Sequence, residues 1–118
     1  MDDVDLMTGA EFEKFIGKLF IKMGYNVQYT KATGDQGVDL IIQKGIQGQK
    51  IGVQTKCYSN KVSNGAIQEV VAGCSYHKCD KGMVITNSSY TKSAMQLAEA
   101  NNIVLWDRKI LIEKVLSI

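Results

Sequence analysis

Proline is missing from this chain, and histidine occurs once, at His77. Without proline, turn-making falls to the 11 glycines, whose backbone reaches conformations closed to other residues. Cysteine is sparse and odd in number: Cys57, Cys74 and Cys79, with no Cys-x-x-Cys pair. That argues against a disulfide scaffold and makes free thiols in a reducing, cytoplasmic setting the simplest expectation. No apolar run approaches the roughly 20 residues of a membrane-spanning helix. The opening Met1-Asp2-Asp3-Val4-Asp5 is acidic, where a secretory leader would be basic and then apolar. An excess of one charge is also absent, since 14 Lys+Arg face 12 Asp+Glu for a net +2. Any surface for a polyanion must therefore come from local clustering. No Gly-x-x-x-x-Gly-Lys-Ser/Thr loop is present to cradle a nucleoside triphosphate. Gly34-x-x-Gly37 leads into a strand rather than a helix, which argues against a dinucleotide fingerprint.

What is present is an ordinary globular mix, 45% hydrophobic and 22% charged over 118 residues. That length suits one domain spanning 1–118, able to bury roughly two-thirds of its unfolded surface. Phe12, Phe15, Ile16, Leu19, Phe20 and Met23 step at helical spacing. Thr8 with Glu11 forms a capping box ahead of this helix, and Gly24 ends it. Lys14, Lys18 and Lys22 read as its solvated face. Strands are expected over Tyr25–Lys31, Val38–Lys44 and Lys50–Tyr58, the last two as an antiparallel hairpin through Gly45–Gln49. Helical spacing resumes over Ser63–Lys78, with Ile67, Val70, Val71 and Cys74 inward. Gly82–Thr86 reads as a buried strand, and Thr91–Asn101 as a helix with Ala94, Met95, Leu97 and Ala98 inward. Ile103–Trp106 reads as another strand, and Arg108–Leu116 as a helix presenting Ile110, Leu111, Val115 and Leu116. Strands alternating with helices imply an α/β fold, a mixed sheet covered on both faces.

Four places carry candidate chemistry. Asp39 heads the apolar run Leu40-Ile41-Ile42, where an ionised carboxylate needs a metal, a cation or several donors. The plain alternative is a carboxylate closing the Gly34–Gly37 turn, a role that suits Asp35 better. Gln54 and Lys56 are two apart, so on a strand they share a face. A lysine beside Val53 and Cys57 is costly without a task, and a buried amine shifts its pKa readily enough to orient or deprotonate a water. An edge strand with a wet polar face would explain the same pattern. Glu13 lies at the margin of the first helix's buried stripe, beside Gly17, which would let another backbone approach. Alone, Glu13 reads as a surface charge. Cys74-x-x-His77-x-Cys79 offers three of the four ligands zinc favours, with buried thiols as the default reading.

Together these residues resemble a known family. Phe12-Glu13, Gly24-Tyr25-x-Val27, Gly34-Asp35-x-Gly37-Val38-Asp39-Leu40 and Val53-Gln54-x-Lys56 followed by Tyr58 are similar to the catalytic domain of Mrr-type restriction endonucleases. That domain is a branch of the PD-(D/E)xK nuclease superfamily. The likeness continues through Ala66-x-Gln68-Glu69, Gly82-Met83-Val84-Ile85-Thr86-Asn87, Ala94 and Trp106-Asp107, and covers about Thr8 to Leu116. It implies a restriction-endonuclease-like three-layer fold, with about five strands between helices. It also implies an endodeoxyribonuclease that uses Mg²⁺, with Mn²⁺ as a substitute, and leaves a 5′-phosphate and a 3′-hydroxyl.

On the same resemblance, Asp39 is the main metal ligand. Gln54 occupies the position of the superfamily's usual acid and offers an amide oxygen. Thr55 contributes its backbone carbonyl, and Glu13 a second carboxylate. Lys56 positions the attacking water. Lys31, Asp35, Lys61, Asn64 and Gln68 are expected DNA contacts, with Lys44, Lys50 and Lys78 as further lysines near connections. The partner is DNA, reached by this surface alone, as a homodimer, or through a fused or separate recognition domain. Two other readings stay open: a junction-resolving nuclease, and a DNA-binding module whose catalysis is lost.

Overall fold

The computed structural model describes residues 1–30 and 37–118. Its first element, α1 (Asp2–Asp5), is one the sequence does not announce, since four residues are too few to show a period. Helix α2 (Gly9–Lys22) begins at the expected capping box, Thr8 and Glu11 each accepting the other's backbone N–H. Beyond it come β1 (Asn26–Tyr29), β2 (Leu40–Gln43), β3 (Ile51–Lys56), α3 (Asn64–His77), β4 (Lys81–Thr86), α4 (Lys92–Ala100), β5 (Ile103–Trp106) and α5 (Arg108–Leu116). The first three strands are shorter than their apolar patterns suggest, and Asp39 falls just before β2 rather than within it.

The five strands lie in chain order, β1-β2-β3-β4-β5. The β1–β2 and β2–β3 pairs are antiparallel, as expected of a hairpin, and β3–β4 and β4–β5 are parallel. The connection over residues 44–50 returns the chain antiparallel from β2 to β3, whereas α3 and α4 carry it back for parallel pairing. Strand β3 is thus the seam between two kinds of ladder.

Both faces are covered. On one, Phe12, Ile16, Leu19 and Phe20 of α2 pack with Leu111 of α5 over Leu40, Ile42, Val53 and Ile85. On the other, Ile67 and Val70 of α3 and Ala94 and Ala98 of α4 cover Ile41 and Val84. Val71, Met95 and Leu116, expected inward, are exposed, because each helix buries a narrower stripe than its apolar content allows. At Gly17 it is the Tyr29 ring that approaches, not another backbone. Among the described residues, no helix is long and apolar enough to cross a membrane.

Candidate active site

The β2–β3 ladder ends at the pair Leu40–Val53, and the Asp39 N–H donates to the Val53 carbonyl at 2.8 Å. The next rung is filled by a side chain. Asp39 Oδ2 accepts from the Thr55 N–H at 2.7 Å and from Thr55 Oγ1 at 3.2 Å. The carboxylate therefore stands at the fork where β2 parts from β3. From the β1 side, Thr30 donates its N–H to the Asp39 carbonyl and its hydroxyl to Val38, the latter at 2.6 Å. Asp39 is held through both backbone and side chain.

Glu13 reaches the same region from α2. Burial raises its carboxyl above the usual glutamate value, and the negative charge of Asp39 raises it further. The two acids are thus close enough for their charges to repel, a placement that favours a nearby cation.

Gln54 and Lys56 alternate with Val53 and Thr55, so they face α3. Gln54 is 4% exposed, and among the described residues its buried Oε1 meets no hydrogen-bond donor. Such an orphan is expensive in a folded interior, and it is the kind of oxygen a hard cation takes. Lys56 Nζ lies 3.4 Å from Glu69 Oε1 on α3 and 5.7 Å from the Tyr58 ring centre. Desolvation works against its charge, but Glu69 and Tyr58 outweigh that effect and its pKa is raised. Of the two roles the sequence offers, orienting a water or deprotonating it, a raised pKa fits the first.

Sequence reasoning had not given Glu69 a role. Gly37 sits at φ +68°, and a Cβ there would run into the Glu69 carbonyl. Gly37, two residues before Asp39, is therefore packed directly on α3, one residue past Gln68. Glu69 is exposed on α3, and the crossing of α3 over β3 brings it to Lys56.

The remaining candidates spread outward. Lys61 is exposed in the β3–α3 connection, and Gln68 is exposed on α3. Asn64, the first residue of α3, has a buried Oδ1 without a partner among the described residues. Lys31 and Asp35 lie outside the described residues. Lys50 reaches the His77 carbonyl at 3.3 Å, and Lys44 lies over the Tyr25 ring. The thiols of Cys74 and Cys79 both lie against Gly52. Burial pushes Cys74 up to about 11 and raises Cys79 as well.

With this geometry in view, comparison with known proteins is informative. Residues 4–115 match the Mrr_cat family, described as restriction endonuclease. The chain is 27% identical to the type IV methyl-directed restriction enzyme EcoKMrr of Escherichia coli (strain K12), over 94% of its own length and 39% of that enzyme's. Among solved structures it resembles the DNA modification-dependent restriction endonuclease AspBHI, with a TM-score of 0.71 and 18% identity over 90% of this chain and 30% of that one. It also resembles the MspJI restriction endonuclease, solved with a 27-mer oligonucleotide, with a TM-score of 0.59 and 21% identity. That match covers 88% of this chain and 27% of the other. The two structures share the fold; the chain spans well under half of each of these three proteins.

Proposed function

Since the chain belongs to the Mrr-type restriction endonuclease family, whose model spans residues 4–115, we propose that it forms a single domain that hydrolyses DNA phosphodiester bonds with a divalent cation. Mg²⁺ is the natural choice, with Mn²⁺ in its place, and the task is restriction of foreign or modified DNA. The observation that carries this reading is the unsatisfied Oε1 of Gln54, buried on the strand whose neighbouring residue, Thr55, binds the Asp39 carboxylate. Asp39 and Gln54 offer a hard cation a carboxylate and an amide oxygen that meets no donor among the described residues, and Glu13 offers a second carboxylate from the α2 side. The Thr55 carbonyl is a further candidate ligand.

The chemistry supplied by such a cation is polarisation of the phosphate and acidification of a coordinated water. The chain's own residues do the rest. Thr55 fixes the rotamer of Asp39 through two hydrogen bonds. Lys56, kept protonated by Glu69, orients the attacking water and balances charge growing on the phosphate oxygens. Lys61, Asn64 and Gln68, with Lys31 and Asp35, are proposed to touch the DNA around the cut. Because the chain spans 39% of its E. coli relative, target choice is assigned to a further domain or to a second copy.

The test is cleavage of supercoiled plasmid, methylated and unmethylated, in Mg²⁺ or Mn²⁺. Metal-dependent nicking should fall by at least about 100-fold in both Asp39→Ala and Lys56→Ala, with the thermal midpoint preserved within a few degrees. Unchanged cleavage in either folded variant overturns the assignment. DNA bound tightly by the wild type but never cut would favour the binding-module reading, for which the uncharged Gln54 is the specific observation.

A further inference from the structure

Beyond Lys56 the chain enters a polar pocket of about 600 Å³, a size suited to a small organic ligand. Its wall is formed by Tyr58 and Ser59, which follow the lysine, with Asn87 and Ser88 after β4 and Asp5 and Arg108 opposite. The segment leading into it is firmly held. Thr86 Oγ1 donates to the Lys56 carbonyl at 2.6 Å, and the Tyr58 N–H donates to Asn87 Oδ1 at 2.8 Å. Asn87 is itself 4% exposed; its Nδ2 donates to Asp5 Oδ1 at 2.9 Å, and its carbonyl accepts from Arg108 at 3.1 Å. The Tyr58 ring on this rigid base is 43% exposed.

The charges of the pocket identify what it accepts. Arg108 is compensated by Asp5 at 2.7 Å and by Asp2 at 4.0 Å. Little positive potential remains for a phosphate. The Asn87 amide is likewise taken up by Tyr58 and Asp5, which leaves the Ser59 and Ser88 hydroxyls and the half-exposed Tyr58, with Lys56 over its ring; these suit an uncharged heterocycle or sugar. An aromatic face beside a cation that holds phosphate is also a favourable arrangement for a base, because stacking on a side chain tolerates any sequence.

We propose that this pocket receives one nucleoside of the DNA, next to the phosphate held at Lys56, with its base stacked on Tyr58. The proposal rests on the nuclease reading for the location of that phosphate. It adds a recognition element that depends on neither sequence nor charge, and it places one nucleotide out of its stack beside the bond to be cut.

The experiment uses the whole chain in EDTA, where cutting does not intervene. Oligonucleotides carrying 5-iododeoxyuridine at successive positions are irradiated, and the crosslinked peptide is identified by mass spectrometry. Affinity is read by fluorescence anisotropy for wild type, Tyr58→Phe and Tyr58→Ala, each first checked for an unchanged thermal midpoint. A crosslink at Tyr58, wild-type affinity in Tyr58→Phe and a loss of about tenfold in Tyr58→Ala are expected. Crosslinks confined to residues outside the pocket, or Tyr58→Ala within twofold of wild type, overturn the proposal. Failure of the nuclease reading shows itself differently, as absence of metal-dependent nicking by the wild type.

Discussion

Glu13 and Asp39 show how single side chains are made ready for a partner. Burial and then the charge of Asp39 raise the Glu13 carboxyl above its ordinary value. A raised carboxyl favours the folded state at low pH, where both forms are protonated, and that advantage is lost as pH rises through the folded value. At neutral pH the ionised Glu13 therefore opposes folding. Glu13→Gln should raise the thermal midpoint at pH 7 by about 1–3 °C, with the gain disappearing below pH 4. Mg²⁺ should stabilise the wild type more than this variant. Calorimetric scans at the two pH values, with and without Mg²⁺, check both points; equal midpoints throughout would show that the two acids do not interact. The spacing of Gln54 and Lys56 was legible because a strand's alternation is local. The tie between Lys56 and Glu69 was not, because it depends on where a distant helix crosses the sheet.

At the scale of elements, the candidate site depends on the contact of Gly37, ahead of β2, with the middle of α3. Gly37 makes that contact achievable by combining a left-handed backbone with the absence of a side chain. Gly37→Ala should cost about 2–4 kcal/mol, from the unfavourable backbone region together with overpacking. Chemical denaturation measures the loss, and the Asp39–Thr55 bond should loosen with it, reducing cleavage further than stability alone explains. A variant as stable as wild type would mean that α3 yields easily at Glu69. Most elements could be read from apolar period and caps: the Thr8–Glu11 box was found where expected, and Asp107 caps α5 through the Ile110 N–H. Helix α1 escaped notice because its support is not local. Val4 is buried, and Asp5 is tied to Arg108, 103 positions along the chain.

For the whole molecule, charge is the governing quantity. A net +2 and a thin scatter of lysines give few phosphate contacts. The isolated chain should bind random duplex weakly, with a dissociation constant of about 1–100 µM at physiological salt. The logarithmic salt dependence should correspond to about two to four neutralised phosphates. Titration by anisotropy at several salt concentrations measures both quantities. Nanomolar binding with a steep slope would show instead that this surface recognises DNA unaided. The α/β class and two-faced sheet were legible from the alternation of element types. The chain order of the strands follows from connection lengths, which the same alternation already contained.

The position of β3 at the seam has a consequence for synthesis on the ribosome. Asp39, Gln54 and Lys56 all emerge within the first half of the chain, yet β3 gains its second neighbour only after α3 and β4 have followed. Thr86, which pins the Lys56 carbonyl, and Glu69, which holds the Lys56 amine, both belong to that later portion. A nascent chain therefore carries the proposed catalytic side chains well before it can hold them in place. On the nuclease reading, cleavage therefore waits until α3 and β4 have been made.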